Sequence, residues 1–366
     1  MSKAEYKRLG DYIREVNVRN RELKVTKLVG LTIDKAFIPS VANVIGTDLS
    51  NYKVIQREQF ACSLMQVSRD GKMPVAMFEE DEAIMSPAYP MFEVIDKTAL
   101  MPQYLMMWFS RNEFDREASY YAVGGVRGSL TWEDFCNMWL PIPSITRQRE
   151  IVSEYEPLTN RIRLNEQMIQ NLEAPAQALY RKTFVDNIDK ENLPEGWRIG
   201  TIGELANTKA GGDKPHDFSE VQTEEYNVPV YANGIDNKGL FGFTTKPVIT
   251  TKSITISARG TIGYCFLRKR PFVPIVRLIV VIPHDEDVTQ YLFYYLNYSN
   301  IKGSGSVQSQ LTVPDMESKN IIIPPVPLIQ EFNKQVEIID NSISFCEKEN
   351  EKLIELQSLL LAKMGQ

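Results

Sequence analysis

Two stretches of this chain are copies of each other, and that repeat constrains the fold more than any other feature. GGVRGSLTWEDFCNMWLPIP (Gly124 to Pro143) and GSVQSQLTVPDMESKNIIIPP (Gly305 to Pro325) align without a gap 181 residues apart. Gly124, Val126, Leu130, Thr131, Asp134 and Pro143 meet Gly305, Val307, Leu311, Thr312, Asp315 and Pro324. Upstream, PQYLMMWF (from Pro102) and TQYLFYYL (from Thr289) share a Gln-Tyr-Leu step, and downstream Gln148 and Gln330 each open a long helical stretch. An entry segment precedes each half, RLGDYIREV at Arg8 and IGTIGELAN at Ile199. Repeats of this length predict two related domains rather than one core, which also suits 366 residues. The expected division is a globular domain over 1–143, a helical region over 144–189, a second globular domain over 190–325 and a second helical region over 326–366.

The two helical regions carry narrow apolar stripes. Ile151, Tyr155, Leu158, Ile162, Asn165, Ile169, Leu172, Ala176 and Leu179 recur in steps of four and three, the spacing of a coiled-coil seam. The second region repeats the pattern with Phe332, Val336, Ile339, Ile343, Cys346, Asn350 and Leu353, then Leu356 and Leu360 after a register slip of one. A globular domain between two helices of similar length makes an antiparallel pair the natural arrangement. Polar Asn165 and Asn350 either fix its register or lie at exposed ends of the contact. Pro157 and Pro175 predict a kink, or a helix start near Pro157, because an interior proline removes a hydrogen bond and crowds the preceding turn. A helix of ~35 residues at ~1.5 Å each spans on the order of 50 Å, more than one turn of B-DNA, so the pair has the dimensions of a ruler.

Both globular halves read as mixed α/β, giving an α+β chain of two tandem domains separated by two long helices in an antiparallel coiled coil. The β-rich runs include KPVITTKSITIS (Lys246 to Ser257) and PFVPIVRLIVVIP (Pro271 to Pro283). AGGDKP (Ala210 to Pro215) and ARGTIG (Ala258 to Gly263) match no phosphate-binding signature and read first as tight turns that let a backbone approach closely.

Charge and residue type favour a ligand-reading protein over an enzyme. The two histidines, His216 and His284, sit in no nucleophile or metal pattern. SPAY (Ser86 to Tyr89) lacks the polar first residue and second proline of an amino-methyltransferase motif and reads as a strand-end turn. Cys62, Cys136, Cys265 and Cys346 are widely spaced and read as buried thiols, and no run is apolar enough to span a membrane, so a cytoplasmic location is expected. The net charge of -6 is mildly adverse to nucleic acid, yet the acids concentrate at Glu79 to Glu82 and Glu347 to Glu355, leaving room for a basic face. Arg127, Gln308 and Gln310, in the loops before the repeated Leu-Thr step, are candidate base readers. Arg14, Arg19, Arg21, Lys27 and Arg69 are candidate phosphate contacts in the first half, and Lys209, Lys214, Lys252, Arg259, Arg268, Lys269 and Arg270 in the second. Solvated surface is the competing reading for each.

On this arrangement the chain resembles the specificity (S) subunits of type I restriction-modification systems over essentially its whole length. The resemblance rests on the tandem architecture, on LPIPSITRQREIV (Leu140 to Val152) and IPPVPLIQEF (Ile323 to Phe332), and on AGGDKP, VPVYANGI (Val228 to Ile235) and ARGTIG. The first half lacks the Gly-Gly and Arg-Gly-Thr-Ile-Gly elements and resembles a different subtype of recognition domain. The resemblance implies two target-recognition domains, each reading one half of a bipartite, asymmetric site in double-stranded DNA. It also implies helices that set the gap and dock two modification subunits, with restriction subunits completing the complex. Catalysis and S-adenosylmethionine would belong to those partners, and no cofactor or metal to this chain. The alternative is a coiled-coil scaffold whose globular halves bind proteins.

Overall fold

The computed structural model describes residues 6–40, 46–65, 67–123, 128–186, 188–299, 301 and 310–364. The chain divides into two compact units that are not contiguous in sequence: Met1–Asn165 with Glu347–Gln366, and Glu166–Cys346. Each unit therefore owns one globular half and parts of both long helices.

In the first unit, β1 (Tyr6–Arg8) and β2 (Ile13–Glu15) lead into β3 (Val29–Leu31), β4 (Phe37–Pro39), β5 (Lys53–Gln56) and β6 (Phe60–Cys62). After α1 (Val67–Asp70) come β7 (Val75–Met77), β8 (Glu82–Met85) and β9 (Met91–Val94). The helical part holds α2 (Pro102–Phe109), α3 (Asn112–Ala122) and α4 (Trp132–Asn137), then β10 (Trp139–Pro141) and the 40-residue α5 (Ile145–Phe184). A four-stranded antiparallel sheet in the order β2-β9-β6-β7 covers α2 and α3, with Phe60, Phe92, Tyr104, Phe109 and Phe114 in the core between them. Fully burying such side chains contributes about 1.5–3 kcal/mol each.

The second unit repeats the plan. It runs through β11 (Arg198–Thr201), α6 (Ile202–Leu205), β12 (Ala206–Ala210), β13 (Val228–Tyr231), β14 (Leu240–Thr244), β15 (Ser253–Ile256), β16 (Cys265–Arg268), β17 (Val273–Pro274) and β18 (Ile279–Pro283). Then come α7 (Val288–Tyr298), α8 (Val313–Glu317), β19 (Asn320–Ile323) and α9 (Val326–Lys363). Its main sheet has the order β12-β18-β15-β16, again first strand, last strand, then a hairpin, all antiparallel. The PFVPIVRLIVVIP run is thus two strands broken by a turn rather than one, and KPVITTKSITIS contains a single strand, Ser253–Ile256.

The repeated residues have repeated jobs. Thr131 and Thr312 are the N-caps of α4 and α8, their Oγ1 accepting from the Asp134 and Asp315 amides, which satisfies a donor that the helix itself leaves free. Leu130 and Leu311 are buried beside them, and each donates its amide to the loop that follows the third sheet strand, at Leu64 and Ala258. The tyrosines of the Gln-Tyr-Leu step donate to closing-strand carbonyls, Tyr104 to Pro141 (3.0 Å) and Tyr291 to Ile322. The two glutamines diverge. Gln148 is fully buried, accepts from the Met101 amide at the start of α2 and donates to the Ala99 and Pro143 carbonyls, whereas exposed Gln330 donates to Asp287 at the start of α7. The extra residue before Gln330 carries it round α9 to the surface, and Ile329 takes the buried place.

Within each unit the helix segments run antiparallel. In the first, Thr159 meets Gln357 and Asn165 meets Asn350, and Leu361 and Met364 pack on the core of the globular half. In the second, Met168 meets Cys346, and Tyr180 and Phe184 pack with Phe332. Ile151, Leu158, Ile162, Ile169 and Leu172 are all partly shielded, as are Ile339, Ile343 and Leu353, and Val336 is fully buried. Three expectations need correction. Of the two alternatives for the prolines, the start near Pro157 does not hold: α5 starts at Ile145 and includes Pro157 and Pro175, both of which sit on its exposed side. The stripe of α9 does not slip after Leu353: Leu356 is 48% exposed, and polar Gln357 takes the shielded position because its amide reaches Thr159 Oγ1 at 2.7 Å. Of the four thiols Cys136 is only half-buried.

Candidate nucleic-acid interface

Sheet topology decides which polar residues share a surface. In the second unit β12 and β15 end, and β16 and β18 begin, at one end of the sheet, because Ala210 and Ile256 both pair with Ile279 and Ile256 also pairs with Cys265. The Gly-Gly loop after β12, the ARGTIG loop after β15 and the turn before β18 are therefore neighbours. They are tied by main-chain bonds of Gly211 to Leu278 (2.7 Å) and Gly212 to Pro274 (3.2 Å). A Cβ on Gly211 would lie 2.8 Å from the Ile275 nitrogen, so only glycine permits that approach. Asn233, from the VPVYANGI segment, staples two of the loops: its Oδ1 accepts from the Ala258 amide at 2.7 Å and its Nδ2 donates to the Val276 carbonyl at 2.7 Å. Three of the five segments that carried the family resemblance, AGGDKP, VPVYANGI and ARGTIG, thus converge on one sheet end.

Lys214, Arg259 and Gln310 belong to this end, all exposed. Lys214 Nζ stands 3.5 Å over the ring of Phe218, which leaves its charge available above an aromatic base. Gln310 adjoins Leu311, which is bonded to Ala258.

The same end of the first unit's sheet is formed by the segment leaving β2, the loop after β6 and the Ser86–Tyr89 turn before β9, since Ala61 and Glu15 pair with Met91 and Phe92. Arg19 and Arg69 come from the first two. Arg19 donates to the Asn51 carbonyl and, with Arg21, Ser50 and Asn51, lines an open polar concavity of about 560 Å³. Arg69 is exposed beside Asp70, whose hydrogen bond pushes its already high pKa further up.

Other candidates lie elsewhere. Arg14 and Lys209 lie within the first sheet strands; Arg14 is held by Glu93 at 2.6 Å, and Lys209 is exposed opposite Val280. Lys27 pairs with Glu80 away from the loops. The basic triplet is the chief correction, because it and Lys252 stand at the opposite end of the sheet, where Ser253 pairs with Arg268. Arg268 is 6% exposed, stacks 3.5 Å over Tyr231 and donates to Thr255 Oγ1 and the Lys238 carbonyl, so it is a buried structural cation rather than a phosphate contact. Lys269 donates to Ser344 of α9. Burial pushes the Lys252 ammonium below its ordinary value against the opposing pull of Asp340, Glu286 and Glu337. Arg270 is exposed next to them. Arg127 and Gln308 lie outside the described residues. Sequence reasoning missed Asn233, an ordinary surface amide until the fold brings two loops to it, and Arg277, hidden inside an apparently continuous strand.

Comparison with known proteins agrees with this architecture. A family profile described as "Type I restriction modification DNA specificity domain" matches residues 194–358. A Mycoplasma pneumoniae protein named as a type I specificity subunit is 32% identical over 180 residues, 49% of this chain and 52% of that protein, so the chain spans about half the length of this relative. The C-terminal part of another M. pneumoniae type I specificity subunit is 37% identical over 105 residues, 29% of this chain and 70% of its own length. The crystal structure of the type I restriction-modification S subunit from M. genitalium superposes over 100% of this chain and 97% of its own, with a TM-score of 0.58 at 14% identity, a likeness of fold. With its duplicated units, paired helices and shared sequence, the chain belongs to the family of type I restriction-modification specificity subunits.

Proposed function

We propose that this protein is the non-catalytic DNA-reading subunit of a type I restriction-modification complex. Each globular half (1–143 and 190–325) reads one half of a bipartite, asymmetric duplex site through the loop end of its four-stranded sheet. α5 and α9 set the gap between half-sites and dock two modification subunits, which supply S-adenosylmethionine and methylate the DNA; restriction subunits complete the assembly. The observation that carries the reading is that two sheets of identical strand order present cationic, glycine-rich or polar loops at equivalent ends. Arg19, Arg21 and Arg69 act there in one unit, and Lys214, Arg259 and Gln310 in the other. Docking of protein partners is supported by large apolar residues left exposed on the helices, among them Ile338 (74%) and Phe345 (65%).

The deciding experiment is methylation mapping with the assembled methyltransferase. Exchanging Asn192 to Pro325 for another recognition domain changes one half of the methylated site and leaves the other; a change in both halves refutes independent reading. Insertion of one helical turn between Gln170 and Ala178 lengthens the gap, and an unchanged gap refutes the ruler. Duplex affinity falls on the order of 1000-fold between about 50 and about 200 mM salt through counterion release, whereas assembly without a salt-sensitive DNA complex supports a protein scaffold.

A further inference from the structure

The turn before β18 is built against the preferences of its own residues. Leu278 donates its amide to the Ile275 carbonyl at 3.0 Å, closing a two-residue turn whose central residues, Val276 (φ 53°) and Arg277 (φ 62°), are both left-handed. Turns with two left-handed central residues favour Asn-Gly, and a β-branched valine is among the least suited side chains for the position. The conformation persists because the surroundings over-determine it. The Val276 and Arg277 amides donate to the Gly212 and Gly211 carbonyls (2.9 and 3.2 Å), and Asn233 Nδ2 holds the Val276 carbonyl. Cβ-free Gly211 lets the two backbones meet.

Stability gains nothing from holding Val-Arg in this way, since Asn-Gly would occupy the same turn with less strain. What the turn does achieve is a fixed backbone position from which an exposed guanidinium starts. Arg277 is exposed, its side chain makes no hydrogen bond or ion pair with any described residue, and Asn233 fixes its turn to the loop carrying Arg259. A phosphate contact needs only a charge on a flexible stem. A base contact needs the planar fork of arginine at a set position and angle.

We propose that Arg277 is a specificity-determining residue that donates through both arms of its guanidinium to the major-groove edge of a guanine in the half-site read by the second unit. The proposal rests on the functional reading above and assigns one base contact within it. Backbone strain held at an exposed position is the mark of a function that stability alone does not explain.

The test uses the full chain assembled with its modification subunits and a duplex carrying the methylation-mapped site. Duplexes with each single base-pair change in the half-site that follows residues 190–325 on exchange are compared with it. Arg277→Ala is expected to lose on the order of 10- to 100-fold in affinity for the mapped site. It also relaxes discrimination at one G·C position while leaving the salt dependence unchanged. Arg277→Lys fails to restore that discrimination. Uniform weakening over all duplexes with a salt slope reduced by about one identifies a phosphate contact and overturns the proposal. An unchanged affinity and pattern overturns it equally. If the wild-type assembly methylates no defined site, the functional reading itself fails and the proposal falls with it.

Discussion

Asn165, fully buried on α5, donates from Nδ2 to Asn350 Oδ1 of α9 at 2.8 Å and to Glu349 Oε2 at 2.7 Å. Of the two roles open to these asparagines, the structure selects the shielded one, since Asn165 lies inside the helix contact and not at a frayed end. Its Oδ1 has no partner among the described residues, so the pair specifies register at some cost in stability. Asn165→Leu alone strands Asn350 and is expected to destabilise the first unit by about 1–2 kcal/mol in urea unfolding. Asn165→Leu with Asn350→Leu recovers that loss. A double variant as unstable as the single would show that the asparagines do not act as a pair.

Glu349 gives the same contact a pH dependence. Hydrogen bonds from Arg161, and then from Asn165, hold its carboxyl below the ordinary glutamate range. A depressed carboxylate pKa stabilises the folded state above the unfolded value and loses that contribution as pH falls through the folded value. The melting temperature of wild type is therefore expected to exceed that of Glu349→Gln at pH 7, with the difference shrinking below about pH 4.5. A difference constant from pH 7 to pH 3 would contradict it.

The matched tyrosines provide a test of structural duplication. Tyr104→Phe and Tyr291→Phe each leave a closing-strand carbonyl without its donor, and each is expected to cost about 1–2 kcal/mol. The two losses should fall on separate units, read by hydrogen exchange of the β1–β10 and β11–β19 pairs.

Gln148 makes three hydrogen bonds with no exposure, and Gln330 makes one at the surface. Gln148→Ala is expected to cost about 2–4 kcal/mol and Gln330→Ala less than about 1 kcal/mol, measured as shifts in the unfolding midpoint. Equal losses would mean that the position in the repeat, rather than burial, sets the penalty.

Arg268 and Arg259 separate structure from recognition. Arg268→Ala removes the donors to Thr255 Oγ1 and the Lys238 carbonyl and loses the stack on Tyr231, for an expected loss of about 2–3 kcal/mol of stability. Arg259→Ala leaves the melting temperature within the range of surface substitutions and weakens duplex binding. Thermal unfolding and binding measured on the same preparations decide both.

The sequence by itself determined the duplication, the two helices and their stripes. Each of these depends on short-range periodicity or on residues whose job is local: Thr131 and Thr312 cap the helices they begin, and four-three spacing needs no knowledge of the partner. It also exposed the second unit's loop segments, while the matching of the first unit's sheet, outside the repeated stretch, became visible only as a shared strand order, since hydrogen-bonded topology outlasts side-chain identity. Tertiary structure alone decided the candidate interface. Arg268 looked like part of a basic patch because charge is legible in sequence and burial is not; its strand register places it under Tyr231 at the far end of the sheet. Arg277 looked like a strand residue because nothing in Val-Arg signals a turn. Its left-handed backbone is imposed by Gly211, Gly212 and Asn233, residues distant in sequence that only the folded sheet brings alongside.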